Sequence, residues 1–206
     1  MKKVKIAIQG ELGAYSHIAV NNLFKEAEIK TCKTFEETFK QAYEDDTYKI
    51  IIPIENSLAG RVADIHYLLP KYKLQIHGEY FLNVEHNLLC KPDAVISDIK
   101  FVRSHGQAIG QCQKIIIKNK FQPIISADTA GSAKELAEGN DKSIAAIASD
   151  LSAKIYKLKI LEKNIEDEKG NVTRFLILGK NVQQPDYHKN KKYITTCIFR
   201  LKSKPS

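Results

Sequence analysis

The first half of the chain alternates short apolar runs with segments of helical spacing. The runs KVKIAIQ, EIKTCK and KIIIPI predict three strands, and the uninterrupted third run favours a buried parallel strand. Between them, apolar residues recur at three- and four-residue intervals, and Thr34 with Glu37 forms a capping box that begins the second helix. A third helix, ADIHYLL, is predicted to stop before Pro70. This order predicts a parallel sheet flanked by helices.

Residues 74–90 have a different pattern, because long alternating stretches with Tyr, Phe, Val and Leu replace the short runs. Such stretches predict extended strands that cross from one lobe to another. A second α/β series follows, and the run TRFLILG predicts a strand that could return to the first sheet. The sequence therefore predicts an α/β protein with two lobes and a cleft between them. The first lobe is residues 1–76, completed by about residues 172–180, and the second is residues 77–171.

The end of the chain has yet another character. Residues 181–192 are polar and contain Pro185, which is typical of a linker. Residues 193–206 begin with a strand pattern and then stop. A lone strand cannot bury its own face. We therefore expect the beginning of another domain, or a strand that pairs with another chain.

The net charge of +8 comes mainly from the end of the chain, where seven basic residues and one acid lie between residues 180 and 206. Only four residues are Arg, so the excess is scattered Lys, which favours a solvated surface over a nucleic-acid site. No apolar stretch approaches the roughly 20 residues of a membrane span, and the apolar part of the basic start is too short for a secretion signal. We expect a soluble, cytoplasmic protein that binds neither nucleic acid nor membrane.

The four cysteines and six histidines show no metal-binding spacing. No two cysteines lie within four residues of each other, and no HxH, HxxH or HxxxH pair occurs. Buried free thiols in a reducing compartment are the simplest interpretation. A metal site is therefore not expected.

Polar clusters follow five predicted strands, at the edge where open α/β sheets bind ligands. They are GELGAYS, ENSLAG, SHGQA, DTAGSA and SDLS. Each cluster leads into a helix, and the first N–H groups of a helix attract anions. Alternatively, Ser16, Ser104, Thr129 and Ser149 could simply cap these helices.

Three further residues could carry chemistry, and each has an alternative interpretation. Arg174 precedes an apolar strand and could bind a carboxylate with both arms of its guanidinium, or could be a surface residue. Glu55 follows an apolar strand and could be a general acid or base, or a structural carboxylate that accepts backbone N–H groups. His105 could act as a base or could orient another group.

Six segments together resemble one known family. They are GELGAYSHIA, IPIENSLAGRVADIHYLL, VRSHGQAIGQC, DTAGSAKELA, AAIASDLSAKIYKLKIL and IEDEKGNVTRFLILG. In this order they resemble prephenate dehydratase, which makes phenylpyruvate on the route to phenylalanine. The combination of PIENS, DTAGSA and NVTRF is specific, although each motif alone is weak. One departure is Gly106, where the family usually has Pro.

The resemblance implies a fold like that of type II periplasmic binding proteins, with the active site in the cleft. It also implies a homodimer or homotetramer, and a reaction that needs no cofactor. The family usually carries a C-terminal ACT domain that binds L-phenylalanine. Residues 193–206 look like the first strand of that domain, so L-phenylalanine is an expected effector only if the full domain is present.

The resemblance also implies roles for particular residues of this chain. Thr173 would face the leaving hydroxyl of prephenate as the catalytic residue, and Arg174 would bind a carboxylate. Glu55 and His105 would support the site. The remaining substrate-binding residues would be Asn56, Ser57, Ser104, Gln107, Thr129, Ala130, Gly131, Ser132, Ser149 and Phe175.

Three other functions remain open from the sequence. Arogenate dehydratase performs the same chemistry with an amino group in place of the keto group. A non-catalytic module could use the same two-lobed fold to hold a small dicarboxylate. A phenylalanine sensor would depend on the ACT region, of which these 206 residues contain only the beginning.

Overall fold

Two sheets with the same strand order form the protein, whose computed structural model describes residues 3–181, 188–193 and 197. The first half of the chain contains β1 (Val4–Gln9), α1 (Tyr15–Leu23), β2 (Ala27–Cys32), α2 (Phe35–Glu44), β3 (Tyr48–Asn56), β4 (Gly60–Arg61), α3 (Ala63–Tyr72) and β5 (Gln75–Asn83). The second half contains β6 (Asn87–Cys90), a 3-10 turn (Ile96–Asp98), β7 (Phe101–His105), α4 (Gly106–Gly110), α5 (Gln113–Asn119), β8 (Gln122–Ser126), α6 (Thr129–Glu138), β9 (Ile144–Ala148), α7 (Asp150–Ile155), β10 (Lys159–Glu162) and β11 (Val172–Gly179).

The two sheets share one topology. The first has the order β2-β1-β3-β11-β5, with β4 paired to β3, and the second has the order β8-β7-β9-β6-β10. In each sheet the fourth strand runs antiparallel to both neighbours, whereas the first three are parallel to one another. The predicted fold class, two α/β lobes with mainly parallel sheets flanked by helices, is confirmed.

The chain crosses between the sheets twice. Residues 84–86 lead from β5 to β6, and residues 163–171 lead from β10 back to β11. The two crossings touch, because the Val84 N–H donates to the Asn171 carbonyl at 2.7 Å and the Ile165 N–H donates to the His86 carbonyl at 2.9 Å. Strand β5 pairs with β11 up to Asn83, so the first sheet extends beyond the lobe boundary predicted at residue 76.

Each sheet has its own apolar core. In the first sheet, one face packs Ile50 and Ile52 with Phe39 of α2, and the other packs Ile6 and Phe175 near α1. The second sheet packs another group of buried side chains that includes Leu88, Val102, Ile116 and Ile147. Continuous apolar strands are expected where helices cover both faces of a sheet.

The structure differs from the sequence-based elements in three places. Helix α3 continues past Pro70 to Tyr72, because a proline in the last turn removes one helical hydrogen bond while Leu69 and Tyr72 still pack on the core. The stretch GQAIGQCQKIIIKN has the pattern of a single helix but forms two, because Asp167 accepts the N–H groups of Gln113 and Lys114 and starts α5 there. Strand β10 was not predicted, and its pairing with β6 stabilises it.

Few of the predictions for the end of the chain can be compared with the structure. The predicted linker and first ACT-like strand, residues 181–206, lie mostly outside the described residues. Within the described part of the chain, no helix has the length and apolar character needed to cross a membrane.

Candidate active site

A cavity of about 440 Å³ opens where the two sheets meet. Its lining includes Ser16, Asn56 and Thr173 from elements of the first sheet, and His105 and Thr129 from elements of the second. The volume lies within the range of about 300–1,000 Å³ that small-molecule sites occupy. Because both lobes contribute side chains, a bound molecule would contact both.

Strand β11 brings Thr173 and Phe175 to the cavity. Successive side chains of a strand point to opposite faces, so residues two apart share a face. Thr173 lies opposite Asn56 of β3, and Phe175 lies opposite Pro53, with one extra β3 residue between them. Such a bulge is a usual place for proline within a sheet. Thr173 is 8% exposed and Phe175 is 1% exposed, so both are held firmly at the wall.

The hydroxyl of Thr173 accepts a hydrogen bond from Asn56. The Asn56 Nδ2 lies 2.9 Å from Thr173 Oγ1, while the Asn56 Oδ1 accepts the N–H groups of Leu58 and Ala59 at 3.0 and 2.8 Å. Backbone N–H groups can only donate, so they fix which way the Asn56 amide points. Since Thr173 Oγ1 accepts from Asn56, its own proton is free to donate elsewhere.

The orientation of the Asn56 amide fixes which groups donate and which accept in a series of further side-chain hydrogen bonds. Asn56 Nδ2 also donates to Asn171 Oδ1 at 2.6 Å, and Asn171 Nδ2 donates to Gln111 Oε1 at 2.9 Å. Gln111 Oε1 lies 2.9 Å from His86 Nε2. An oxygen acceptor requires a donor, so the network assigns the His86 proton to Nε2.

Tyr15 completes this chain at the other end. Its hydroxyl lies 2.8 Å from both His86 Nδ1 and the Glu85 carbonyl oxygen, so its single proton can reach either acceptor. Burial lowers the pKa of His86, which favours the neutral ring, and burial raises the pKa of Tyr15. His86 and Asn171 belong to the two crossing segments, so the chain of bonds runs through the junction of the lobes.

The cavity lining contains six of the residues predicted from the sequence. They are Asn56, His105, Gln107, Thr129, Thr173 and Phe175. The His105 ring accepts the Gln107 N–H at 3.3 Å, so this histidine caps α4 while it lines the cavity. The structure therefore brings together the TRF motif, the PIENS motif and the start of two second-lobe helices.

Arg174 is not among the residues that line the cavity, so the structure gives no support to its predicted role in carboxylate binding, which stays a prediction. Its Nε and Nη2 lie 2.8 and 2.6 Å from Glu79 Oε2, and its guanidinium lies over the Phe81 ring. Strand alternation explains this, because a residue next to Thr173 must point to the other face. Glu55, opposite Arg174 in β3, is exposed and also lies outside the lining.

Three predicted serines lie outside the lining and make structural hydrogen bonds. Ser57 Oγ donates to the Gly170 carbonyl and accepts the Val172 N–H, both at 2.9 Å. Ser104 Oγ is fully buried and donates to the Ile147 carbonyl at 2.7 Å. Ser149 caps α7 and donates to the Gly13 carbonyl at 2.6 Å. Their hydroxyls are therefore used within the fold, so the structure gives no support to the prediction that they bind substrate, which stays untested.

Two of the three predicted N–H groups at the start of α6, those of Gly131 and Ser132, are also occupied. Asp128 caps this helix, with its Oδ1 accepting the Gly131 N–H at 2.6 Å and its carbonyl accepting the Ser132 N–H at 3.2 Å. Ala130 and Ser132 are fully buried, and the lining includes Thr129 but not Ala130, Gly131 or Ser132. A carboxylate already at this terminus would repel a second one, so the geometry gives no support to this part of the prediction, which stays untested.

Among the lining residues that were not predicted from the sequence, four bear on the chemistry of the site. Gln111 and Asn171 lie inside the segments GQC and GNVTRF, which already carried the family resemblance. Arg61 directly follows ENSLAG and is one of only four arginines, which was an available signal. Nothing in the alternating pattern around His86 marked it, because its place depends on where the chain crosses between the sheets.

A cavity between two α/β lobes, with oriented polar side chains such as Asn56 and Thr173 beside the apolar Phe175, has the form of a small-molecule binding site. The comparison with known sequences is more specific. A model of the family described as prephenate dehydratase matches residues 6–183. The chain belongs to the prephenate dehydratase family.

Similar proteins support this membership. A bifunctional N-acyl-homoserine lactone acylase/prephenate dehydratase of Komagataeibacter europaeus is 36% identical, over 97% of this chain and 71% of that protein. Arogenate dehydratase/prephenate dehydratase 2 of Arabidopsis thaliana is 37% identical, over 98% of this chain and 53% of that protein. The crystal structure of a Staphylococcus aureus prephenate dehydratase is 30% identical with a TM-score of 0.74, covering 87% of this chain and 67% of that one. The chain thus spans about half of the plant relative.

Proposed function

We propose that this chain catalyses the decarboxylating dehydration of prephenate to phenylpyruvate, CO₂ and water. The orientation of Thr173 carries the proposal. Its hydroxyl accepts from Asn56 at 2.9 Å and lines the cavity, so its proton can be donated to a bound molecule. Family membership supports the same activity.

The chemistry requires little beyond correct placement. Prephenate is a cyclohexadienol with two carboxylates. The bond between the ring and its carboxylate breaks, the electron pair enters the ring, and the bond to the ring hydroxyl breaks at the other end. The ring becomes aromatic, and the departing hydroxide takes a proton from the solvent to become water. The leaving oxygen accepts the electrons, so no external electron acceptor is needed for balance.

Thr173 would stabilise the charge on the leaving oxygen. A threonine hydroxyl is a poor acid, so we assign it a hydrogen bond to that oxygen rather than full proton transfer. The amide of Asn56, held by the backbone of Leu58 and Ala59, keeps the hydroxyl in this direction before substrate binds. A donor that is already oriented costs no reorganisation during the reaction.

Two residues of the cavity lining suit two parts of the substrate. Phe175 offers an apolar surface beside the ring, where a less solvated carboxylate would lose CO₂ more readily. Arg61 lines the same cavity with a permanent positive charge, and none of the ion pairs among the described residues engages it. We assign Arg61 the attraction of the dianion, in place of Arg174.

The direct test is to incubate the purified chain with prephenate and follow phenylpyruvate as its enolate absorbance in alkali. We expect absorbance to rise with enzyme concentration and to remain at background with a Thr173→Ala variant of equal purity. Absence of phenylpyruvate with a folded wild-type chain would overturn the proposal.

Arogenate is the second candidate substrate, because the Arabidopsis relative carries both activities in its name. Parallel assays with equal concentrations of prephenate and arogenate would separate the two, and we expect a higher kcat/KM for prephenate. The homodimer or homotetramer, the cytoplasmic location and the response to L-phenylalanine stay predictions. Sedimentation of the purified chain checks the first of them.

A further inference from the structure

Ser16, in the first turn of α1, is a largely buried residue whose hydroxyl the proposed reaction does not yet use. The residue is 7% exposed and lines the cavity. Within residues 3–181, no hydrogen bond engages its hydroxyl. The hydroxyl of this largely buried residue is therefore free to form a hydrogen bond with a ligand group in the cavity.

The beginning of α1 lacks an anionic or side-chain cap. Its N-cap residue is Ala14, and its first turn contains no acidic residue. The N–H groups of Tyr15 and Ser16 therefore have no acceptor in the helix and none in the cap. This differs from α6, where Asp128 occupies the corresponding position. The positive end of the α1 dipole is thus open to the cavity.

The turn before α1 is held rigidly by the second lobe. The Gly13 carbonyl accepts the hydroxyls of Ser149 and Ser152 at 2.6 and 3.0 Å, and the Gly13 N–H donates to His17 Nδ1 at 3.0 Å. Gly13 has φ +94°, and a Cβ there would lie 2.4 Å from Ser152 Oγ. The close approach and the positive φ both require glycine. The N–H groups are therefore fixed in place before any ligand arrives.

We propose that the first turn of α1 binds the pyruvyl carboxylate of the substrate, through the N–H groups of Tyr15 and Ser16 and the Ser16 hydroxyl. The identity of this ligand rests on the proposed dehydratase function. The pyruvyl carboxylate remains in the product, so a strong anchor for it does not oppose the reaction. The ring carboxylate leaves as CO₂, so an anchor on it would hold back the electrons that must enter the ring.

Phenylpyruvate is the probe for this subsite, because it carries the pyruvyl carboxylate and cannot react further. Its affinity is measured by titration calorimetry for the wild type, Ser16→Ala and Ser16→Asp. The control is Ser132→Ala, a buried serine near the start of α6 whose hydroxyl already donates to the Asp128 carbonyl. Phenylacetone, which has the same ring and keto group without the carboxylate, is the matched ligand.

We expect Ser16→Ala to weaken phenylpyruvate binding about 10-fold, the usual effect of one hydrogen bond to a charged group. Ser16→Asp should abolish binding, and Ser132→Ala should leave it unchanged. The amide signals of Tyr15 and Ser16 should shift with phenylpyruvate and not with phenylacetone. A wild type that does not bind phenylpyruvate, or a Ser16→Ala affinity within twofold of wild type, would overturn the subsite.

Failure of the subsite and failure of the proposed function are distinguishable. If the wild type converts prephenate but Ser16→Ala leaves the KM unchanged, only the subsite is wrong. If the wild type does not convert prephenate but phenylpyruvate binding still depends on Ser16, the subsite stands and the proposed reaction is wrong.

Discussion

Strand β11 has two faces that differ in what they do. On the cavity face, Thr173 and Phe175 form part of the wall, and Thr173 joins a chain of hydrogen bonds. On the other face, Arg174 is engaged by Glu79 and Phe81 of the neighbouring strand. Neighbours in the sequence are thus separated by the full thickness of the sheet.

Consecutive residues of a sequence motif need not share one function. When the motif lies on a strand, its side chains alternate between the two faces of the sheet and meet two different environments. In the TRF motif, the middle residue stabilises the sheet edge and the outer two form the site. The same comparison reassigns the positive charge of the site. Arg61, at the end of the short strand β4, lines the cavity from which Arg174 is excluded.

The largest effect is expected at Thr173. Replacing it with Ala removes the only hydroxyl of the cavity face of β11 without adding bulk. We expect kcat for prephenate to fall at least roughly 100-fold, while KM changes little, because the lost interaction forms with the leaving oxygen in the transition state. Steady-state kinetics of the purified variant measures both constants.

Thr173→Ser is the matched control for that variant, because it keeps the hydroxyl and loses a methyl group. It should retain most of the wild-type kcat. A Thr173→Ala enzyme within threefold of wild type would remove this residue from the reaction.

The next largest effect is an expected difference between alanine variants of Arg61 and Arg174. Arg61→Ala should raise KM for prephenate about 10-fold, because a charged partner of a carboxylate is lost. Arg174→Ala should leave KM unchanged and lower the free energy of unfolding by about 1 kcal/mol, since its pair with Glu79 is only partly buried. Kinetics and urea unfolding of both variants check this. A higher KM for Arg174→Ala than for Arg61→Ala would contradict the placement of both side chains.

The smallest effect is expected in the pH dependence of stability. Burial lowers the pKa of His86, so the folded state prefers the neutral ring and the unfolded state binds more protons. The stabilising contribution is present above the usual histidine pKa of about 6.5 and is lost as pH falls below it. His86→Gln should therefore flatten this loss, measured by urea unfolding between pH 5 and pH 8 at about 25 °C.

Burial also lowers the pKa of His17 and His77, so some pH dependence should remain in that variant. If the free energy of unfolding of His86→Gln changes with pH as steeply as that of the wild type, protonation of His86 does not contribute to the pH dependence of stability.

Much of the fold could be predicted from local pattern. Apolar runs such as KIIIPI mark strands whatever surrounds them, and the order of elements limits the topology. The break between α4 and α5 could not be predicted, because it depends on Asp167, which lies 53 residues from Lys114 in the chain. Strand β10 is equally non-local, since it exists through pairing with β6.

For the candidate site, the sequence indicated which segments form the cavity better than it indicated what each residue in them does. Asn56 and Thr173 were predicted and do meet, because β3 and β11 place them opposite each other. Ser104 was predicted to bind substrate and instead joins β7 to β9, since a hydroxyl facing a buried carbonyl is satisfied there. His86 was missed because its environment is created by the two crossings, which no local pattern describes.

The kinetics of Asn56→Asp test most directly whether Asn56 orients the Thr173 proton toward the substrate. This change keeps the shape of the side chain, and its carboxylate can still accept the N–H groups of Leu58 and Ala59. The carboxylate cannot donate to Thr173 Oγ1, so the threonine proton would turn toward it and away from the cavity. We expect kcat for prephenate to fall roughly 100-fold with KM nearly unchanged. A kcat within threefold of wild type would contradict it.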